Sequence, residues 1–365
     1  MPTVLTGVAF PTQLDIAKLY GPEGKEELPF VNSLSQDNAN LSVTPFIMGN
    51  HPFGHLSAME EYSPMPTVTE DNEGVLPLFN IWDQNFDTFC RMPDAFQMAD
   101  SVVRKYGNPA SYRMQQVLGR IRAMGRYLAQ LYFYGSLATD PREFNGLLIR
   151  YNHHSTANAA TATNVISAGG LTAGAQTSIW FVGNSPLGVT GIYPNRPDAG
   201  GGFAGFYHRD EGLVTLPNAP DVNGGTSGLL PVWRDYFEFE GGIGLVDWRC
   251  VQRGCNFDTV DLATTNPQTD VKYYLEAILG RRPFSNNVPP EQGVTYPQPV
   301  YWWYFNRFMQ IALGHNLLNT LISGSGIRVD NVRNPEDTYM KGFEYGGFPV
   351  GICDVITKTE AIVGA

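Results

Sequence analysis

The stretch NPASYRMQQVLGRIRAMGRYLAQLYFYG, Asn108 to Gly135, constrains the fold more than any other. Asn108 suits an N-cap and Pro109 the first helical position. Met114, Val117, Leu118, Ile121, Met124, Leu128, Leu131 and Tyr132 recur at spacings of three and four, which puts them on one face. Gly135 supplies the stop. The pattern predicts a helix over 108–134, about 25 residues and roughly 37 Å long. Strands follow it rather than alternate with it. SIWFVGNSPLGVTGIYP reads as two strands (178–194) around a Gly-Asn/Pro turn. VWRDYFEFEGGIGLVDWRCVQRGCNFD reads as two longer strands (233–258) turning at Gly241-Gly242, and glycine loops lie between the pairs. VYWWYFNRFMQIALGHNLLNTLI (300–322) reads as a second long amphipathic helix, and FEYGGFPVGICDVI as a closing hairpin. With no βαβ rhythm and no internal repeat, the expected class is α+β.

Residues 44–82 carry five prolines, Pro45, Pro52, Pro64, Pro66 and Pro77. Inside this stretch HPFGH sets His51 and His55 four apart, a spacing that lets two histidines on a helix share a metal. Pro52 and Gly54 between them rule out a helical turn. No cysteine or further histidine lies nearby to complete four ligands. The stretch therefore reads as an extended loop or hairpin. Residues 1–43 offer no core segment beyond a short helix at DIAKLYG, and read as an extended arm lying on something else.

Of the 365 residues, 43% are hydrophobic but only 16% charged, well below the usual quarter. Such a chain hides surface against partners, which points to an oligomer. The net charge of -11 argues against a general nucleic-acid binder. It leaves room for a local strip: from Ser101 to Thr139 there is no acid, but Arg104, Lys105, Arg113, Arg120, Arg122 and Arg126 are present. That strip fits either a solvated face or a surface turned to a polyanion. The four cysteines, Cys90, Cys250, Cys255 and Cys353, are scattered, and read as reduced, buried thiols. No signal-peptide pattern opens the chain and no apolar run approaches the ~20 residues of a membrane span. A soluble protein, intracellular when made, is expected, with no membrane partner.

Reactive constellations are sparse. DAGGGFAG lacks the Lys-Ser/Thr of a phosphate loop, and GNSPLG sets its serine out of frame for a nucleophile elbow. His153 and His154 read as loop residues. Asp235, Glu238, Glu240 and Asp247 could supply an acid pair, but Glu238 and Glu240 share one face of a strand, where solvent exposure is the simpler account. No catalytic residue, metal or cofactor is expected. The chain reads as a building block.

Several segments carry a resemblance: TPFIMGNHPFGH with NEGVLP; MPDAFQMADSVVRKYGNPASYR; LAQLYFYGSLATDPREFNGLLIRYN; TSIWFVGNSPLGVTGIYP; GIGLVDWRCVQRGCNFD; and FPVGICDVITKTEAIV. Together they resemble the gp-seven-type major capsid family of tailed double-stranded DNA bacteriophages. The resemblance runs from about residue 44 to 363 in family order. The most specific parts are FYG-x-x-ATDP-x-x-F-x-GL and GL-x-x-DWR-x-x-x-R-x-x-N. LSAMEEYSPMP departs from the usual Arg- and Thr-rich second half of the loop.

That resemblance implies the Hong-Kong-ninety-seven-type capsid fold. Its parts would be an N-terminal arm (1–43), an E-loop ribbon laid over a neighbouring subunit (44–92), a P-domain with a spine helix at 108–134 (93–260), and an A-domain placed last (261–365). It implies a virion protein, assembled in the bacterial host cytoplasm, whose partners are itself in hexamers and pentamers and packaged double-stranded DNA held non-specifically. A portal, a separate scaffold and a cement protein are further partners. The short segment before the loop implies an arm that is not cut away. Loop residues Phe46, Ile47, Met48, His51, Phe53, His55, Leu56 and Met59 would touch the neighbour, and Arg113, Arg120, Arg122 and Arg126 would face DNA. No lysine lies between Glu26 and Arg104, so the loop lacks the amine of a relative's isopeptide cross-link. The rival readings are an encapsulin-like compartment of the same fold and a β-rich carbohydrate-active enzyme using Glu238, Glu240 or Asp247.

Overall fold

The computed structural model describes residues 39–62, 68, 74, 77–79, 81–105, 109–155, 160–194, 206–219, 228–264, 269–282, 299–320, 327–328 and 344–364. The arm expected before residue 39 lies outside them. In chain order come helix α1 (Ala39–Val43) and strands β1 (Phe46–Met48), β2 (Gly54–Tyr62), β3 (Ile81–Thr88) and β4 (Cys90–Ala99). Helices α2 (Asp100–Val103), α3 (Pro109–Tyr134) and α4 (Leu147–Arg150) follow. Then come β5 (Val165–Ser167), β6 (Gln176–Asn184), β7 (Val189–Tyr193), β8 (Phe206–Ala219), β9 (Gly228–Leu245) and β10 (Val251–Asp258). Helices α5 (Thr259–Leu262) and α6 (Val271–Gly280), strand β11 (Val300–Phe305), helix α7 (Arg307–Thr320) and strands β12 (Ile327–Arg328), β13 (Glu344–Tyr345) and β14 (Phe348–Ile352) complete the order.

These elements form two compact units. The smaller takes its described residues from 91–127 and 206–240, the larger from 39–90, 128–194 and 241–364. The larger unit thus draws on both sides of residue 260.

In the larger unit every residue of β6 is buried. Such a strand needs partners on both edges and cover on both faces. β10 pairs antiparallel along one edge and β11 along the other. β5 extends the sheet beyond β10 and β14 beyond β11, both in parallel. One face carries Ile179, Phe181 and Trp303 against Leu275, Ile278 and Met309 of α6 and α7. Each such buried side chain contributes roughly 1.5–3 kcal/mol. On the other face Trp180 meets the Phe133 ring, at the end of α3, at 5.8 Å, and Tyr151 at 6.3 Å.

Arg253 of β10 lies opposite Trp180 in register and is fully buried. Its guanidinium sits 4.9 Å from the indole ring. It donates to the Tyr151 carbonyl at 2.7 Å, to Ser178 Oγ at 2.9 Å and to Glu360 Oε2 at 2.9 Å. The other Glu360 oxygen accepts from the Tyr134 hydroxyl at 2.6 Å. Burial, and then the Glu360 charge, push the Tyr134 phenol well above its ordinary range, so it stays a donor.

The smaller unit sets β8 antiparallel to the first part of β9, with β4 on the other side of β9. Phe96, Met98, Val103 and Phe237 form its core, joined by Met124 of α3 and by Trp233. The Trp233 indole donates to Asp100 at 2.9 Å.

Two expected elements are corrected. Val300–Phe305 is a strand, and the helix expected over 300–322 begins only at Arg307. The aromatic, β-branched run VYWWYF fits between β6 and β14, and that pairing overrides its helical spacing. Asn306 then caps α7, accepting from the Met309 N–H at 2.8 Å. The chain also does not turn at Gly241-Gly242, because β9 runs through both. A Cβ on Gly242 would stand 2.5 Å from the Thr88 carbonyl oxygen, so glycine there permits close approach of two backbones. The turn comes instead at 246–250, where Asp247 caps a short 3-10 helix and holds Cys250. All four cysteines are buried and unbridged. Burial pushes the Cys250 thiol up to about 12 and that of Cys255 to about 11, which leaves both inert.

The buried ion pair yields a test. Glu360→Gln strands the Arg253 charge and is expected to destabilise the subunit by about 3–5 kcal/mol in urea unfolding. Glu276→Gln, removing the partner of an exposed 3.9 Å pair with Lys272, should change it by less than about 1 kcal/mol. Equal shifts would show that the buried pair holds nothing together.

Candidate assembly surfaces

HPFGH forms a tight turn at the root of a ribbon. The His51 and Gly54 backbones exchange two hydrogen bonds, at 3.2 and 3.3 Å. His51 Nδ1 accepts from the Phe53 N–H at 3.3 Å, so this histidine shapes the turn. β2 and β3 then pair antiparallel from Gly54↔Thr88 to Tyr62↔Ile81. The His51 ring packs edge-on against Phe86, 5.2 Å away. His55 lies opposite Asp87, the residue after Phe86, and so on the other face of the ribbon. The two histidines cannot share an ion. Among the described residues no cluster of three or more His, Cys, Asp or Glu is placed to hold a metal.

Near its root, one ribbon face exposes apolar side chains. Leu56 lies opposite Phe86 in register, and the two are 44% and 47% exposed. Phe53 beside them is 75% exposed and Met48 51%. Asn50 stiffens this end by pairing both ways with the Leu56 backbone, each bond 2.7 Å. Of the eight loop residues singled out from the sequence, Phe46 and Ile47 stand in β1, half-buried beside β7 of their own chain. His55 is half-buried, its Nδ1 without a hydrogen-bond partner among the described residues. The side chain of Met59 lies outside the described residues. Phe86 joins the exposed set without having been foreseen. Its signal was alternation in IWDQNFDT, masked by the polar residues around it.

The arginines of α3 do not share a face. Successive residues turn about 100°, which sets Arg122 and Arg126 about 40° apart but Arg120 roughly 160° from Arg122. Arg120 reaches Asp94 of β4 at 3.4 Å. Arg122 is half-buried and Arg126 exposed. The Arg113 side chain lies outside the described residues.

The carboxylates of β9 are not solvent-exposed as expected. Glu238 is buried, accepting from Arg91 at 2.7 Å and from the Tyr236 hydroxyl at 2.6 Å. Glu240 lies 3.7 Å from the same arginine. Arg91, held by hydrogen bonding and charge from Glu238, is shifted further above its ordinary range. Both acids are thus committed to one cation within a sheet. No described helix is long and apolar enough to cross a membrane.

Comparison with known proteins places this geometry. The chain is similar over its whole length to a chain of the bacteriophage Epsilon15 structure from cryo-electron microscopy, at 19% identity and a TM-score of 0.64, covering 100% of both. It thus has the Hong-Kong-ninety-seven-type capsid fold, in the α+β class. The bacteriophage JBD30 capsid matches at 10% identity and a TM-score of 0.43, with 97% of this chain and 98% of that one covered. An encapsulin from Synechococcus elongatus PCC 7942 matches at 9% and 0.42, covering 68% and 96%. Neither of these two weaker likenesses adds to the argument. No curated protein matches. The family model Major capsid protein GP7 matches residues 21–364, nearly the full length. The chain belongs to this family, the major capsid proteins of tailed phages.

Proposed function

We propose that this subunit closes into an icosahedral shell of hexamers and pentamers around double-stranded DNA, with the ribbon β2–β3 bearing on the neighbouring copy. The observation that carries the reading is the open apolar face of His51, Phe53, Leu56 and Phe86 on a ribbon that stands on a buried root. Exposed aromatic side chains on a two-stranded ribbon are costly in water and stabilising in an interface. Head-to-tail contacts of this kind generate closed rings. In the same reading α3 is the spine helix and residues 44–92 the E-loop, with the P- and A-domains over 93–260 and 261–365. Arg122 and Arg126 turn towards the packaged genome and lower the repulsion between DNA and a shell of net charge -11 per subunit. Assembly in the bacterial cytoplasm with a separate scaffold, a portal and a cement protein completes it.

Electron microscopy of the purified protein should show shells, and virion shells should hold nuclease-protected DNA. Monomers at every concentration would overturn the reading, and shells filled with protein cargo alone would favour an encapsulin-like compartment. Phe53→Ser with Leu56→Ser should leave the subunit folded, since both side chains are exposed, but raise the concentration needed for assembly at least about tenfold.

Boiling mature particles in detergent and reductant should release one band near 40.3 kDa. The loop has no lysine to cross-link and the thiols are buried. A ladder of larger species would reveal a covalent joint. Arg122→Gln with Arg126→Gln should leave empty shells intact and lower the salt concentration at which full ones lose DNA, a change absent if both side chains face outwards.

A further inference from the structure

Asp87 belongs to the ribbon yet its carboxylate is buried, while Phe86 beside it is open to solvent. Its Oδ2 accepts from the Leu245 N–H, at the end of β9, at 3.0 Å. Its Oδ1 is held by Arg150 at the end of α4. Arg150 is already fixed before it reaches Asp87: its Nη2 and Nε donate to the Asn145 carbonyl at 3.1 and 3.3 Å. The backbone around the pair is equally tight. A Cβ on Gly54, across the ribbon, would lie 2.2 Å from the Asp87 carbonyl oxygen, and one on Gly242 would lie 2.5 Å from that of Thr88.

The root of the ribbon is therefore gripped by α4 through a charge and by β9 through a backbone N–H. Desolvating a carboxylate and a guanidinium is unfavourable unless both are held, and here both are. A two-stranded ribbon has little stability of its own and would swing about an ungripped root. Fixing it beforehand removes that freedom from the cost of association.

We propose that Asp87 and Arg150 are positioning residues for assembly. They set the direction in which β2–β3 leaves its subunit, and so where the face of Phe53, Leu56 and Phe86 arrives on the next copy. The inference rests on the ribbon being the contact between copies and adds what aims it.

Asp87→Asn removes the charge and keeps the shape, and Asp87→Asn with Arg150→Gln also removes the cation left behind. Spin labels on cysteines introduced at the exposed positions Ala58, on the ribbon, and Leu171, in the same unit, read the ribbon's direction as a distance distribution in unassembled subunits. The native cysteines are buried and stay unlabelled. The double variant should keep a cooperative thermal transition, broaden the distribution, and raise the concentration needed for shells about tenfold. A distribution as narrow as wild type overturns the proposal. So does a broad one with shells forming at the wild-type concentration. Should the double variant fail to fold, Arg150→Lys keeps the charge, gives up the fork that spans Asn145 and Asp87, and carries the same two readouts. Phe53→Ser with Leu56→Ser leaves the root untouched and tests the reading beneath. If it assembles like wild type with the ribbon still narrow in its distribution, the ribbon is not the contact and that reading fails on its own.

Discussion

A charged guanidinium at the centre of a sheet sets the terms for the larger unit. Arg253 is tolerable there only because Glu360, Ser178, the Tyr151 carbonyl and the Trp180 ring surround it. Those partners come from the chain end, from the central strand and from the loop after α4. β6 is polar at its ends and apolar in its middle, and each end anchors a network. At the far end Asn184 accepts from Thr44 at 3.2 Å and donates to the Tyr304 hydroxyl at 3.1 Å. Asn40 of α1 donates to the Ala129 carbonyl of α3 at 3.4 Å. The point where the N-terminal segment enters the unit is thereby tied to helix and sheet together. Buried polar groups satisfied in this way fix one arrangement of the elements that supply them.

That rigidity bears on the contact proposed between copies. An apolar face is useful to a shell only if it arrives at the same place on every neighbour. The root of the ribbon borrows its firmness from β9 and α4, which the sheet holds in turn. The smaller unit solves a different problem. Its β9 carboxylates are neutralised by Arg91, and Asp94 engages Arg120. These pairs balance charge within the sheet of a chain that is poor in charge to begin with.

What could be read in the sequence followed strong local signals. α3 starts at Pro109 and stops before Gly135, so the helix was legible to within a residue, while Asn108, the expected cap, lies outside the described residues. The prolines of 44–66 excluded a helix at HPFGH, and the ribbon there is what extended chain becomes when it pairs with itself. Long-range pairing was not legible. VYWWYF carries helical and strand patterns at once, and only the empty edges of β6 and β14 decide. Gly241-Gly242 looks like a turn because close approach to Thr88 is a tertiary fact. Strands β4 and β8 passed unread, the one interrupted by Pro93 and the other by Gly212. Asp87 and Arg150 were invisible as a pair for the same reason: 63 residues separate them, and the segment that holds Arg150 gives no sign of its partner.

Glu360 and Val363 are built into the fold of the larger unit. The Asn256 side chain grips Val363 from both sides, its Oδ1 accepting from the Val363 N–H at 2.8 Å and its Nδ2 donating to the carbonyl at 2.9 Å. Glu360 pairs with Gln176 as a bridge of the sheet. Translation delivers these residues long after β6 and β10 have left the ribosome. Until they emerge, Arg253 lacks the carboxylate that pairs with it among the described residues, and Gln176 lacks its bridge partner. The sheet of the larger unit is therefore fully tied only once translation has passed Val363.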